Sequence, residues 1–91
     1  MVILRREENI QPVFILINSE PGKLWEIADS AKNFDKVKVA YAVTGMFDVV
    51  VYAELAHMKE LRTLVEDLHS LDGVIRTRTA VAVPPRIESN Q

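Results

Sequence analysis

Two short stretches of the chain combine residue types that can hold a small polar molecule. In Thr44-Gly45-Met46-Phe47-Asp48 a glycine lets backbone N–H groups turn outward, and a carboxylate beside them can accept hydrogen bonds from an ammonium group. Free N–H donors next to a carboxylate are the complement of a zwitterion. Asp48 is also out of place on propensity grounds, since an acid with low strand preference stands directly before three valines. In Arg76-Thr77-Arg78-Thr79, strand alternation puts both arginines on one face and both threonines on the other, and two hydroxyls on one face can orient a polar ligand. As residues alone, the first stretch is equally a plain hairpin and the second equally an exposed edge strand.

Groups that would support catalysis or metal binding are scarce. His57 and His69 fall on or beside one helix, about 18 Å apart along its axis, so they cannot share a metal ion within one chain. No H-x-x-x-H, H-E-x-x-H or Asp-x-Asp pattern occurs, and Gly22, Gly45 and Gly73 are too scattered for a phosphate loop. The serines lack the glycines of a nucleophile elbow. With no cysteine, disulfides and thiolate chemistry are excluded. Glu7-Glu8 and Glu66-Asp67 read as solvated surface, because adjacent helix positions diverge by about 100°. Trp25 stands beside an apolar stripe and reads as core or as an oligomer contact. No metal or other cofactor is expected, and the reading is of a non-enzyme.

The whole chain bounds what can carry these stretches. Ninety-one residues suffice for one domain with one core, and 48% hydrophobic with 26% charged residues is the composition of an ordinary folded protein. A formal net charge of −2 gives no uniform attraction to a phosphate backbone, so direct nucleic-acid binding is not expected. No apolar run approaches the ~18 residues of a membrane helix, and the first residues do not form a signal peptide. A cytoplasmic location is expected.

Residues 1–11 carry a charged block with no period and read as an arm. Pro12 introduces Val13-Phe14-Ile15-Leu16-Ile17, a buried strand stopped by Asn18-Ser19-Glu20-Pro21-Gly22. A first helix is expected over Pro21 to Lys32, with Ser19 or Asn18 as its cap and Leu24, Ile27, Ala28 and Ala31 on its apolar side. Lys36 to Val43 alternates, with Val37, Val39, Tyr41 and Val43 on one side. Phe47 to Leu55 is the next strand, and Gly45-Met46 fits a two-residue type II′ hairpin turn. Met58, Leu61, Leu64, Val65, Leu68 and Leu71 form a helical stripe that ends at Gly73, and Val74 to Val83 reads as the last strand. Residues 84–91 read as a tail, so the folded unit is 12–83.

The order β-α-β-β-α-β predicts an α+β, ferredoxin-like fold: a four-stranded antiparallel sheet with both helices on one face. In such a sheet each strand should alternate apolar and polar, yet Val13 to Ile17 and Val49 to Ala53 are apolar on both sides. The expected cover for the second face is another copy of the same sheet, giving a face-to-face or edge-sharing homodimer; the alternative is that the first and third strands are central and tolerate exposed apolar residues.

The residues Val39 to Val51 resemble the T-G-x-[YF]-D hairpin of the effector-binding (RAM) domain in Lrp/AsnC-type, or feast/famine, transcriptional regulators. Gly73 to Thr79 resembles the last strand of that domain, with its G-V…T-x-T pattern, and the resemblance spans Pro12 to Val83 in order and spacing. It implies a module that senses amino acids in the regulation of transcription and amino-acid metabolism. It also implies dimers paired through their sheets and assembled into rings, commonly octamers, with the effector between dimers. Carried over residue by residue, it makes Thr44, Gly45, Met46 and Phe47 turn contacts to the ligand, Asp48 the partner of the α-amino group, and Thr77 and Thr79 side-chain contacts. Family regulators carry an N-terminal helix-turn-helix domain, whereas eleven residues precede the first strand here. The expectation is an effector domain standing alone, with a full-length Lrp/AsnC-type regulator as partner for any effect on transcription. Met46 occupies a position that is often polar in the family, which favours an apolar ligand side chain or a contact to a neighbouring dimer. The other readings are a small dimeric ferredoxin-like enzyme with a histidine base and a ligand-independent adaptor for a full-length regulator.

Overall fold

A computed structural model of the chain describes residues 10–83. Most of the expected arm and all of the expected tail lie outside the described residues. The elements are β1 (Gln11–Ser19), α1 (Leu24–Ala31), β2 (Val37–Ala42), β3 (Val49–Leu55), α2 (Glu60–His69) and β4 (Val74–Val81). Every strand pair is antiparallel and the sheet order is β2-β3-β1-β4, which is the expected ferredoxin-like arrangement.

The two strands that read as apolar on both sides, β1 and β3, are the central pair. Val13, Ile15 and Ile17 of β1 and Val49, Val51, Ala53 and Leu55 of β3 are fully buried beneath the helices. Helix α1 contributes Ile27, Ala28 and Ala31 to this core and α2 contributes Leu64 and Leu68, each set at the helical spacing read from the sequence. Fully burying a Val, Ile or Leu side chain stabilises by about 1.5–3 kcal/mol, so this layer is the main source of cohesion. The opposite face carries Phe14, Leu16, Val50 and Tyr52, with the Phe14 and Tyr52 rings 5.2 Å apart across a registered pair.

Four local expectations need correction. Pro21 does not open α1. Pro21 and Gly22 instead form the centre of a turn closed by Lys23 N–H donating to Glu20 O at 3.1 Å, and φ of +84° at Gly22 matches a type II turn. The helix begins only at Leu24 without a side-chain cap, because Asn18 and Ser19 still belong to β1 and the turn stands between them and the helix. Strand β2 does not alternate cleanly: Val37 pairs with Ala53 and Val39 with Tyr52, so a bulge at Lys38 shifts the phase. Val37 and Ala40 therefore face the core, while Val39 and Tyr41 join the open face, where Tyr41 is 60% exposed.

The third and fourth corrections concern the β2–β3 connection and two apolar side chains. The connection spans residues 43–48 rather than the Gly45-Met46 pair of a tight hairpin. Trp25 is 70% exposed and so is not core, and Met58 precedes α2 and is 44% exposed.

Candidate functional site

Three chain segments meet at one end of the sheet: the end of β1, the 43–48 connection and the start of β4. Two ties, one through the backbone and one through side chains, hold the first and last of these together. Glu20 N–H donates to Gly73 O at 2.8 Å, and Lys23 Nζ lies 3.0 Å from the Asp72 carboxylate, joining the β1–α1 turn to the α2–β4 turn. The hydrogen bond and charge of Asp72, with a smaller contribution from Glu26, hold the Lys23 ammonium above its ordinary pKa.

The 43–48 connection is held to β1 by its own polar groups. Val43 N–H donates to Asp48 O at 2.9 Å and Asp48 N–H donates to Ile17 O at 2.8 Å. The Asp48 Oδ2 accepts from Ser19 N–H at 2.7 Å, where β1 departs from its register with β4. Asn18 Nδ2 donates to Met46 O at 2.9 Å. These bonds explain an acid at the entry to β3: its carboxylate satisfies a backbone donor that the strand irregularity leaves without a ladder partner. Gly45 takes φ of +116°, a conformation that side chains oppose, and Met46 is 85% exposed at the tip. Among the described residues, none accepts a hydrogen bond from the N–H groups of Thr44, Gly45, Met46 or Phe47.

Not all of the expected site residues come together. Thr77 is registered with Ile17 and Thr79 with Ile15, which puts both hydroxyls on the helix side of the sheet. Arg76 is registered with Asn18 and Arg78 with Leu16, on the open side. A cleft of about 470 Å³ there is lined by Asn18, Met46, Phe47, Arg76 and Arg78. Met46 and Phe47 of the expected set thus meet two arginines, and the two threonines face away from them. In the sequence the arginines stand out only by their alternation, and Asn18 only as a candidate helix cap. The usable signal was the parity of 76 and 78, but choosing between the faces requires the β1–β4 register.

A family model for the Lrp/AsnC ligand binding domain matches residues 12–91. The chain belongs to the Lrp/AsnC family. It is 28% identical over 78 residues to the HTH-type transcriptional regulator FL11 of Pyrococcus abyssi, a match covering 86% of this chain and 52% of that protein. The chain thus spans about half the length of the curated relatives it matches. Protein TTHA0845 from Thermus thermophilus superposes with a TM-score of 0.79 at 28% identity, covering 86% of this chain and 99% of that one. A transcriptional regulator from Neisseria meningitidis, NMB0573, solved as a complex with L-Met, shares the fold with a TM-score of 0.72 at 22% identity, covering 87% and 53% of the two chains. A regulatory, ligand-binding role follows from the family.

A second cleft of this Lrp/AsnC domain, also about 470 Å³, lies between the α1–β2 connection and α2, among Asn33, Phe34, Lys36, Glu60, Thr63 and Asp67. Its central charges are already paired, with Lys36 Nζ 3.5 Å from Glu60. Burial pushes the Glu60 carboxyl up, but the N–H groups of Ala56 and His57 and the Lys36 ammonium outweigh it and hold the pKa below the ordinary 4.5. His57 precedes α2 and His69 ends it, both exposed. No group of three or more His, Cys, Asp or Glu side chains among the described residues is arranged to hold a metal ion. No helix of the described residues is long and apolar enough to cross a membrane.

Proposed function

We propose that the chain is a non-catalytic effector-binding module that senses an amino acid in the regulation of transcription and amino-acid metabolism. The observation that carries this reading is the row of N–H groups on Thr44, Gly45, Met46 and Phe47, none of them bonded to a described residue, beside the Asp48 carboxylate. Such a row suits an α-carboxylate. Oδ2 of Asp48 is committed to Ser19, and Oδ1, which takes no hydrogen bond from a described residue, suits the α-ammonium. Because Thr77 and Thr79 lie on the other side of the sheet, their hydroxyls reach such a ligand from a neighbouring copy. The L-Met complex of the N. meningitidis regulator supports an amino acid as the ligand class.

The same reading assigns the open face to self-association. Phe14 and Tyr41 are 39% and 60% exposed there, beside Leu16, Val39, Val50 and Tyr52. A second sheet covers this apolar area in a homodimer and leaves the turn end of the sheet at its rim, where dimers join into an octamer or similar ring through their effector turns. The test is calorimetric titration with each of the twenty amino acids on protein whose mass has been measured by light scattering. Heat from at least one, lost in Asp48→Asn, is expected. Silence from all twenty on an oligomeric sample overturns the sensing role.

A further inference from the structure

The open-face cleft has a charge that the zwitterion reading leaves unanswered. Arg76 and Arg78 both line it, and neither forms an ion pair with a described residue. Among the described strand residues of that face the one carboxylate is Glu54, which sits opposite Pro12 at the far end of β1 and accepts the Tyr52 hydroxyl at 2.8 Å. The Asp48 carboxylate is turned to Ser19. Two guanidinium groups two residues apart on one strand therefore lie side by side, with no acid among the described strand residues beside them.

We propose that this cleft binds a small ligand carrying two carboxylates, the class of the acidic amino acids, with Arg76 and Arg78 as its anion-recognising residues. This deepens the effector-binding reading and rests on it for the amino group alone. A guanidinium presents a planar fork that pairs with a carboxylate through two parallel hydrogen bonds, so two arginines match two carboxylates. A neutral zwitterion leaves both cationic charges under-compensated, whereas an acidic amino acid brings a net charge of −1. Phe47 and the Met46 side chain supply an apolar wall for the short hydrocarbon linker. Asn18 spends its Nδ2 on Met46 O, and the ligand ammonium goes to Asp48 Oδ1 as in the effector-binding reading. At about 470 Å³ the cleft falls within the ~300–1,000 Å³ of small-molecule sites.

The test titrates the whole chain with L-aspartate, L-glutamate, succinate, L-leucine and inorganic phosphate by calorimetry, alongside Arg76→Gln and Arg78→Gln. Aspartate or glutamate is expected to bind, tenfold or more weakly in either variant, and the Nε–Hε resonances of Arg76 and Arg78 are expected to shift on titration. Those resonances report contact directly, whatever a substitution does to assembly. Acidic ligands that give no heat, or that bind without moving either resonance, overturn the proposal. Tighter binding of phosphate than of either acidic amino acid does the same. Leucine binding that both variants retain, with the acidic ligands silent, leaves amino-acid sensing standing and removes this assignment. Succinate binding lost in Arg78→Gln, with no amino acid bound, keeps the dicarboxylate site and removes the sensing role.

Discussion

Asp48 offers the sharpest separation of a structural from a ligand-binding contribution. Its Oδ2 accepts from Ser19 N–H at 2.7 Å, and the residue is half-buried. Replacing it with alanine removes a charge-assisted acceptor and leaves a partly buried donor unpaired, which costs about 1–3 kcal/mol. Partial access of water to Ser19 places the expected loss in the lower half of that range. For a domain of this size each kcal/mol shifts Tm by roughly 4–8 °C, so Asp48→Ala should melt several degrees below the parent. Asparagine keeps an oxygen in the same place, so Asp48→Asn should lose about 1 kcal/mol or less while giving up the negative charge an ammonium requires. Urea and thermal unfolding measure the first effect, hydrogen exchange at the Ser19 amide localises it, and calorimetric titration reads the second. An Asp48→Ala protein as stable as the parent, with Ser19 still protected, would refute the structural argument.

Other substitutions probe the surrounding frame. Gly73 has φ of +94° and an added Cβ would lie 2.7 Å from Lys23 Cβ, whereas Gly45 has φ of +116° and open space around it. Gly73→Ala should therefore destabilise by about 1–3 kcal/mol in urea unfolding and Gly45→Ala by less, since only the first adds a collision to the strain. Ile15→Ala empties a fully buried position in the central strand and should cost about 2–5 kcal/mol by the same measurement. Because the Glu60 pKa is depressed in the folded state, its contribution is present above 4.5 and fades as pH falls through the folded value. The stability difference between the parent and Glu60→Gln should thus be full at neutral pH and shrink in acid; a difference independent of pH contradicts the assignment. Tyr41→Lys, placing a charge on the open face, should lower the mass seen by light scattering without lowering helix content by circular dichroism.

Much of the fold was legible because its signals are local. The apolar run Val13 to Ile17, the α2 stripe through Leu61, Leu64, Val65 and Leu68, and the stop at Gly73 each lie within one element, where spacing of 2 or 3.6 residues reports burial directly. The two-sided apolar strands proved to be the central pair. The phase of β2 was not legible, because the bulge at Lys38 is set by pairing with Ala53 and Tyr52 rather than by residues near it. The Pro21-Gly22 signal was real but had two uses, and the turn prevailed over the helix start because β1 runs on through Asn18 and Ser19, leaving Glu20 to Lys23 to reverse the chain before the helix.

For the site, the residues of the chain by themselves determined its chemistry and tertiary structure decided its composition. A glycine, an acid and a T-x-T strand are present whatever the fold, and they brought the Thr44 to Asp48 turn into view. Which side of the sheet that turn meets depends on β1 pairing with β4 so that Asn18 faces Arg76 and Leu16 faces Arg78. That register joins segments nearly sixty positions apart, and a shift of one residue would have put the threonines in the cleft and the arginines over the helices. Alternation shows that 76 and 78 share a face; only the non-local hydrogen-bond ladder selects the face, and with it the charge of the cleft.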